Sequence, residues 1–220
     1  MDQVREKPWL AHYDPGVPPE IQVPDIPLWR FLEESARRFP QNVALEFLGK
    51  TLSYQELWGL ARRFAQGLKD LGVRPGDRVA IMLPNSPQFV IAFYGTLLAG
   101  GVGVNVNPLY TPRELRHQLA DAGAETLVIL DHLLPRYLEV EKEVPVKRVV
   151  VTGIKDFLPF PKNLLYPLKA KRDGLPLGFP KREGFHAFAE LLKRPPAEPH
   201  VPDPEDLALL QYTGGTTGLS

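Results

Sequence analysis

The chain has 220 residues, of which 44% are hydrophobic, so it can bury one large core or two small ones. Lysine plus arginine number 26, and aspartate plus glutamate also number 26, which leaves no basic field of the kind that binds nucleic acid. Cysteine is absent, which excludes disulfides and thiolate metal sites and fits a reducing compartment such as the cytoplasm.

Residues 1–72 predict N-terminal helices and a hairpin. The first ten residues lack the apolar segment of a signal peptide, and five prolines within residues 1–26 preclude a long helix there. Apolar residues then recur at helical spacing, and Ser53 followed by Glu56 is a capping box. The predicted elements are a loop over 1–26, a helix over 28–39, a hairpin over 43–54, and a helix from Ser53 that stops at Gly72.

Residues 73–152 predict a βαβ core. Residues 79–112 carry no charge, but prolines and asparagines interrupt the run, so we expect a buried strand–helix–strand unit instead of a membrane span. Strands that alternate with helices imply an α/β fold with a mostly parallel sheet and helices on both faces. The predicted strands are 78–83, 102–106, 126–130 and 147–152, and the predicted helices are 87–100, 111–123 and 133–143.

Residues 153–205 form a proline-rich excursion in which basic residues alternate with aromatic and apolar ones. One interpretation is a surface that contacts an anionic membrane through basic heads and apolar anchors. The other is an excursion packed on its own domain with lysines as a solvated rim, which the prolines favour because they prevent one long amphipathic helix. Residues 185–192 suit a short helix.

Residues 206–220 predict a strand followed by a phosphate-binding loop. The apolar run 207–210 leads into Thr213–Gly218, where three glycines and three threonines fill six positions. Glycines let backbone N–H groups approach an anion, and threonine hydroxyls can contact phosphate oxygens or a bound metal ion. The loop lacks the Gly-Lys-Ser/Thr ending of a Walker A motif.

Four segments together resemble a known family, the adenylate-forming acyl-CoA synthetases, and within it the long-chain fatty-acid–CoA ligases. The segments are TLSYQEL at 51–57, GDRVAIMLPNSPQF at 76–89, NVNPLYTPRELRHQLADAGA at 105–124 and LLQYTGGTTGLS at 209–220. The resemblance implies an incomplete N-terminal AMP-binding domain over residues 1–220.

The same resemblance implies a reaction and a set of ligands. Such enzymes activate a carboxylate with ATP to an acyl-adenylate and then pass the acyl group to coenzyme A. It implies ATP, Mg²⁺ and coenzyme A as ligands, a fatty acid as substrate, and Thr213 as the residue nearest the metal. The residues expected to bind the nucleotide are Tyr212, Thr213, Gly214, Gly215, Thr216, Thr217, Gly218, Leu219 and Ser220.

The resemblance places the catalytic residues after Ser220, including a lysine and a magnesium-binding glutamate. We therefore expect the 220-residue chain not to form a thioester by itself. Two alternatives stay open, namely a non-enzymatic protein that binds a membrane or a partner through residues 153–200, and an adenylating ligase of different acyl specificity. A homodimer and a peripheral contact with the inner face of the membrane are further options.

Overall fold

The computed structural model describes residues 7–213. The α-helices in this part are α1 Trp29–Arg38, α2 Tyr54–Asp70, α3 Pro87–Leu98, α4 Pro112–Ala122, α5 Leu134–Leu138, α6 Lys162–Arg172 and α7 Phe188–Leu191. The strands are β1 Val43–Phe47, β2 Lys50–Ser53, β3 Arg78–Met82, β4 Val102–Asn105, β5 Thr126–Leu130, β6 Arg148–Thr152, β7 Phe185–Ala187 and β8 Leu209–Gln211.

The hairpin and α2 form as the sequence predicts. Strands β1 and β2 pair antiparallel. The Ser53 side chain accepts from the Glu56 amide, and the Glu56 carboxylate accepts from the Ser53 amide, which completes the capping box of α2. Gly72 has φ +83°, the left-handed conformation that ends a helix. The guanidinium of Arg148 donates to the carbonyls of Leu71 and Gly72 and so ties this helix end to β6.

Six strands form one parallel sheet, in the order β7-β6-β5-β3-β4-β8. The predicted combination of a mostly parallel sheet and a small hairpin is therefore confirmed. All five residues of β5 are buried, and so are four of the five in each of β3 and β6. Strands buried this completely are covered on both faces.

Helices cover the two faces in separate groups. In the strand order, the connection from β3 to β4 leads toward the β8 edge of the sheet, whereas the connection from β4 to β5 leads back toward the β7 edge. Because parallel crossovers are right-handed, α3 and α4 lie on opposite faces. Helix α3 packs against α2, which also contacts α7, whereas α4 packs against α5. Strand β8, which precedes the predicted phosphate loop, thus joins a sheet that lies between two layers of helices.

Two predicted helices differ from the structure. Residues 133–143 give only the short helix α5, after which the chain continues in turns with bonds such as Glu143 N–H to Val140 O. The amide of Val146 donates to the Tyr137 hydroxyl as the chain turns back toward β6. Residues 185–192 start as strand β7 and become helical only at Phe188, because parallel pairing with β6 overrides the helical spacing of the apolar residues.

The proline-rich excursion contains an unpredicted helix, α6. Pro167 lies inside it and, lacking an N–H, removes a single helical hydrogen bond. Pro161 lies at its start, where its carbonyl accepts from the amides of Leu164 and Leu165. Prolines therefore limit the length of this helix without preventing it. No helix within residues 7–213 combines the length and the hydropathy needed to cross a bilayer.

A crossing segment, residues 192–208, joins α7 to β8. It connects an element beside one edge of the sheet with the strand at the other edge, and it runs along α2. Arg62 of α2 exchanges two hydrogen bonds with the backbone of Ala197, and Lys69 donates to the carbonyl of Glu198. Farther along, the carbonyl of His200 accepts from the Trp29 indole. The crossing segment is thus fixed along its length before β8 begins.

Candidate functional site

The predicted phosphate loop starts at the carboxyl edge of the sheet. All six strands of the sheet are parallel, so their carboxyl ends meet at one edge, which is where α/β proteins bind ligands. Gln211, the last residue of β8, is in register with Asn105, the last residue of β4. Thr213 follows two residues later and is exposed. The first residue of the predicted loop therefore lies at the edge where a nucleotide is expected.

Two side-chain contacts hold this start of the loop to the β4–α4 unit. The Asn105 amide donates to the Gln211 side-chain carbonyl across 2.9 Å. The Tyr212 hydroxyl donates to the Asp121 carboxylate of α4 across 2.5 Å. Gln118, one turn before Asp121, donates to the Asn105 backbone carbonyl across 2.8 Å. Because the anchors fall on consecutive residues, 211 and 212, they fix both the position and the direction of the chain at Thr213.

The raised pKa of the Tyr212 hydroxyl suits a role in holding the loop and does not suit proton transfer. Burial, followed by the hydrogen bond to Asp121 and the charge of Asp121, raises the pKa of Tyr212 to about 12. The phenol therefore stays protonated at neutral pH and cannot serve as a general base there. The sequence-based expectation that Tyr212 binds nucleotide directly stays a prediction, and the observed contact assigns it a role in holding the loop.

Two amide side chains at these anchors have carbonyl oxygens that can still accept hydrogen bonds. The side-chain oxygens of Asn105 and Gln118 are buried and have no hydrogen-bond partner among residues 7–213. Gln118 is only 2% exposed. A buried amide oxygen without a donor costs free energy, so this polar cluster can accept two further hydrogen bonds from a ligand, a water or the adjoining chain.

Helix α4 is itself well positioned. Thr111 and Glu114 form a second capping box, and Gly123 ends the helix in the left-handed conformation with φ +61°. Arg136 donates to the carbonyls of Pro108 and Tyr110 across 2.6 and 3.0 Å, which secures the loop that leads into α4. Asp121 is therefore presented to Tyr212 from a helix that is fixed at both ends.

Most of the predicted nucleotide contacts lie outside the described residues. Only Tyr212 and Thr213 of the set fall within residues 7–213. The remaining predicted residues are Gly214, Gly215, Thr216, Thr217, Gly218, Leu219 and Ser220. In the described part, no cluster of three or more histidine, aspartate or glutamate side chains could hold a metal ion. Thr213 as the residue nearest magnesium stays a prediction.

A cavity of about 440 Å³ lies at the opposite edge of the sheet. Its lining includes Arg78 and Val102, the first residues of β3 and β4, together with Trp29 and His200. The amino ends of parallel strands face away from the ligand-binding edge. This cavity is therefore separate from Thr213, where the predicted phosphate loop starts.

Sequence reasoning missed three residues of this region: Gln118, Asp121 and Arg136. Asp121 carries a signal that could have revealed it, because it lies in the last turn of α4, where the helix dipole disfavours negative charge. An acidic residue in that position suggests a contact outside the helix. Arg136 carries no comparable signal, because its acceptors are backbone carbonyls 26 and 28 residues away.

Comparisons with known proteins agree with this geometry. The profile of the AMP-binding enzyme family matches residues 32–220. The chain is 43% identical to a long-chain-fatty-acid–CoA ligase of Bacillus subtilis over 97% of its length, and 38% identical to one of Escherichia coli O157:H7 over 98%. It covers 39% of each relative.

A solved structure gives the same result at the level of the fold. The crystal structure of a long-chain-fatty-acid-CoA ligase from Archaeoglobus fulgidus superposes with a TM-score of 0.73 at 26% identity. The superposition covers 94% of this chain and 38% of that one. The sheet, the anchored start of the loop and the profile match lead to one conclusion: this chain belongs to the family of AMP-binding enzymes.

Proposed function

We propose that this chain forms the phosphate-binding part of a long-chain fatty-acid–CoA ligase, which activates a fatty acid with ATP as an acyl-adenylate and transfers it to coenzyme A. The observation that carries the proposal is the fixed start of the glycine–threonine loop. Exposed Thr213 follows β8 at the carboxyl edge, and Tyr212 is bonded to Asp121 immediately before it. The identity to ligases of two bacteria supports the substrate class.

The residues of this chain would act by binding and orientation. Attack by a carboxylate on the α-phosphate requires the β- and γ-phosphates to be held and their charge offset. The loop amides and the Thr213 hydroxyl would hold these phosphates, and the anchors at Gln211 and Tyr212 would keep the loop in place without contacting the reacting atoms. Bound Mg²⁺ would further offset the phosphate charge, and Thr213 would be the residue that offers it a hydroxyl.

A hybrid chain tests the proposal. Residues 1–220 are joined to the remaining segment of the Bacillus subtilis relative, and ATP–pyrophosphate exchange is measured with and without palmitate. We expect palmitate-dependent exchange. Thr213→Ala should lower its kcat/KM on the order of a hundred-fold, as expected for losing one donor to transition-state charge, whereas Thr213→Ser keeps the hydroxyl and should stay within a few-fold.

The controls separate the outcomes. Thermal unfolding followed by circular dichroism establishes that each hybrid is folded. A folded hybrid without carboxylate-dependent exchange contradicts the proposed function, and equal rates for the Ala and Ser variants contradict the role of Thr213. Exchange with an aromatic acid in place of palmitate would reassign the acyl specificity. The 220-residue chain alone is expected to show no acyl-CoA formation.

The proposal extends to location and assembly. A ligase of this class needs ATP and coenzyme A, and the chain has no cysteine, which fits a cytoplasmic protein. We include contact with the inner face of the membrane and a homodimer as parts of the same proposal. Light scattering after size-exclusion chromatography tests the homodimer, and a monomeric mass at micromolar concentration contradicts it.

A further inference from the structure

The outer face of α6 carries an apolar surface that the described fold leaves uncovered. Leu164 is 64% exposed, Leu165 57% and Leu168 69%, and Phe160 just before the helix is 79% exposed. The opposite face of α6 is held against the protein, since Ala170 is only 1% exposed. Four large apolar side chains at one place exceed the scattered exposed residues of an ordinary surface.

Helical geometry places these leucines in a single stripe. At 100° per residue, Leu164, Leu165 and Leu168 fall within one 100° sector of the helix. Lys171 lies just beyond one border of this sector, and Lys169 lies beyond the other. The leucine stripe is thus flanked by basic side chains on both sides, which is the arrangement of a helix lying in a membrane interface.

The charge around the stripe has one dominant sign. Residues 157–172 include four basic residues and no acidic one. Arg172 is paired with Asp173 across 3.4 Å, and Lys162 donates to the Leu48 carbonyl at the hairpin tip across 2.9 Å. Lys169 and Lys171 are exposed and make no ion pair among residues 7–213. Long lysine side chains can extend past buried leucines toward phosphate groups.

The hairpin tip lies beside the start of α6. Leu48 is 56% exposed and its carbonyl is bonded to Lys162, the first residue of α6. The amide of Leu175 donates to the Ala170 carbonyl, which closes the far end of the helix onto the following chain. The stripe is therefore presented by a helix whose two ends are hydrogen-bonded to neighbouring segments.

We propose that this surface, hereafter the α6 surface, binds bilayers that contain anionic phospholipids, with α6 lying parallel to the membrane plane. The α6 surface consists of Leu48, Phe160, Leu164, Leu165, Leu168, Lys169 and Lys171. Charge complementarity favours a lipid surface over a second copy of the chain, because a symmetric self-contact would place the lysines of one copy against those of the other. The formal charge of the whole chain is zero, so the attraction is local to this surface.

Vesicle co-sedimentation tests the proposal, on the 220-residue chain and on the hybrid ligase described above. The probe is phosphatidylcholine vesicles with and without phosphatidylglycerol, which supplies a negative surface potential. We expect binding to the anionic vesicles that weakens as salt rises. Lys169→Gln with Lys171→Gln should weaken it about twenty-five-fold, at roughly five-fold per charge.

Substitutions of apolar and basic residues distinguish binding through the α6 surface from nonspecific adsorption to vesicles. Leu164→Gln with Leu168→Gln should weaken binding at least about ten-fold. Two control substitutions of exposed residues outside α6, Ile21→Gln for an apolar residue and Lys142→Gln for a lysine, should leave binding unchanged. Circular dichroism melting establishes that each variant is folded.

Several outcomes would overturn the proposal: absence of binding to anionic vesicles, equal binding to neutral ones, equal loss in the control variants, or binding by the chain that disappears in the hybrid. The last outcome would mean that the segment after residue 220 covers the α6 surface. The measurement uses no ATP or fatty acid, so failure here and failure of the proposed ligase function are distinguishable.

Discussion

The Tyr212 hydroxyl and the Asp121 carboxylate are hydrogen-bonded although they lie 91 residues apart in the chain. This bond joins the residue after the last described strand to a helix on one face of the sheet. Three residues of β8 are in register with β4, and the bond adds a further contact at the start of the predicted phosphate loop.

Tyr212→Phe should loosen the end of β8. Losing one hydrogen bond to a carboxylate at a partly exposed site costs roughly 1 kcal/mol, so amide exchange at residues 210–212 should accelerate about five-fold. Hydrogen–deuterium exchange with mass spectrometry measures this. Tyr13→Phe is the matched control, because the Tyr13 hydroxyl makes no hydrogen bond in the described part of the chain. Unchanged exchange in Tyr212→Phe would show that the pairing with β4 suffices.

The same bond predicts a dependence on alkaline pH. The folded-state pKa of Tyr212 is raised to about 12, from an ordinary value near 10. A raised pKa means that the contribution to stability is complete below about pH 10 and is lost as pH rises toward 12. The difference in unfolding free energy between the unsubstituted chain and Tyr212→Phe should therefore shrink above pH 10 in urea titrations. A difference that stays constant up to pH 12 contradicts this.

Two glycines in the helical layer should respond oppositely to alanine. A Cβ at Gly95 of α3 would lie 2.7 Å from the Phe64 ring and 3.0 Å from the Ala61 carbonyl of α2, so Gly95→Ala should destabilise the fold by about 2 kcal/mol through overpacking. A Cβ at Gly59 meets nothing within 4 Å, so Gly59→Ala should stabilise α2 by roughly 0.5–1 kcal/mol. Urea unfolding measures both, and effects of the same sign would refute the packing argument.

His186 predicts a loss of stability in mild acid. Burial, and secondly the charge of Arg148, lower the pKa of His186 in the folded state. The unfolded chain therefore takes up its proton first, and stability falls as pH drops below the ordinary value near 6.5. His186→Gln should flatten the fall in unfolding free energy between pH 7.5 and 5.5, whereas His117→Gln, at an exposed helix position, should not. Equal flattening by both variants would contradict the assignment.

Much of the fold could be predicted from local patterns. The capping boxes at Ser53 and Thr111 mark helix starts because their hydrogen bonds span only three residues. The uncharged run over 79–112 indicates buried strands because both faces of a parallel sheet are covered. These signals sufficed for the βαβ core and the hairpin, and both are confirmed.

The parts that escaped prediction depend on contacts distant in sequence. β7 becomes a strand only because β6 offers an edge, and three residues are too few for an alternating pattern to show. Helix α6 forms despite Pro167 because it is short and because its two ends are hydrogen-bonded to adjacent segments of the chain. Asp121 and Arg136 form hydrogen bonds with groups 26 to 91 residues away. The spacing of apolar residues along the sequence cannot reveal contacts of that kind.

The crossing segment has a consequence for how the molecule is made. Its bonds to Arg62, Lys69 and Trp29 connect it to α2 and α1, so the path by which the chain reaches β8 runs over these two helices. The amino-terminal helices leave the ribosome first, and β8 leaves last among the described strands. The helices that guide the chain toward β8 are therefore already synthesised when Thr213 is added.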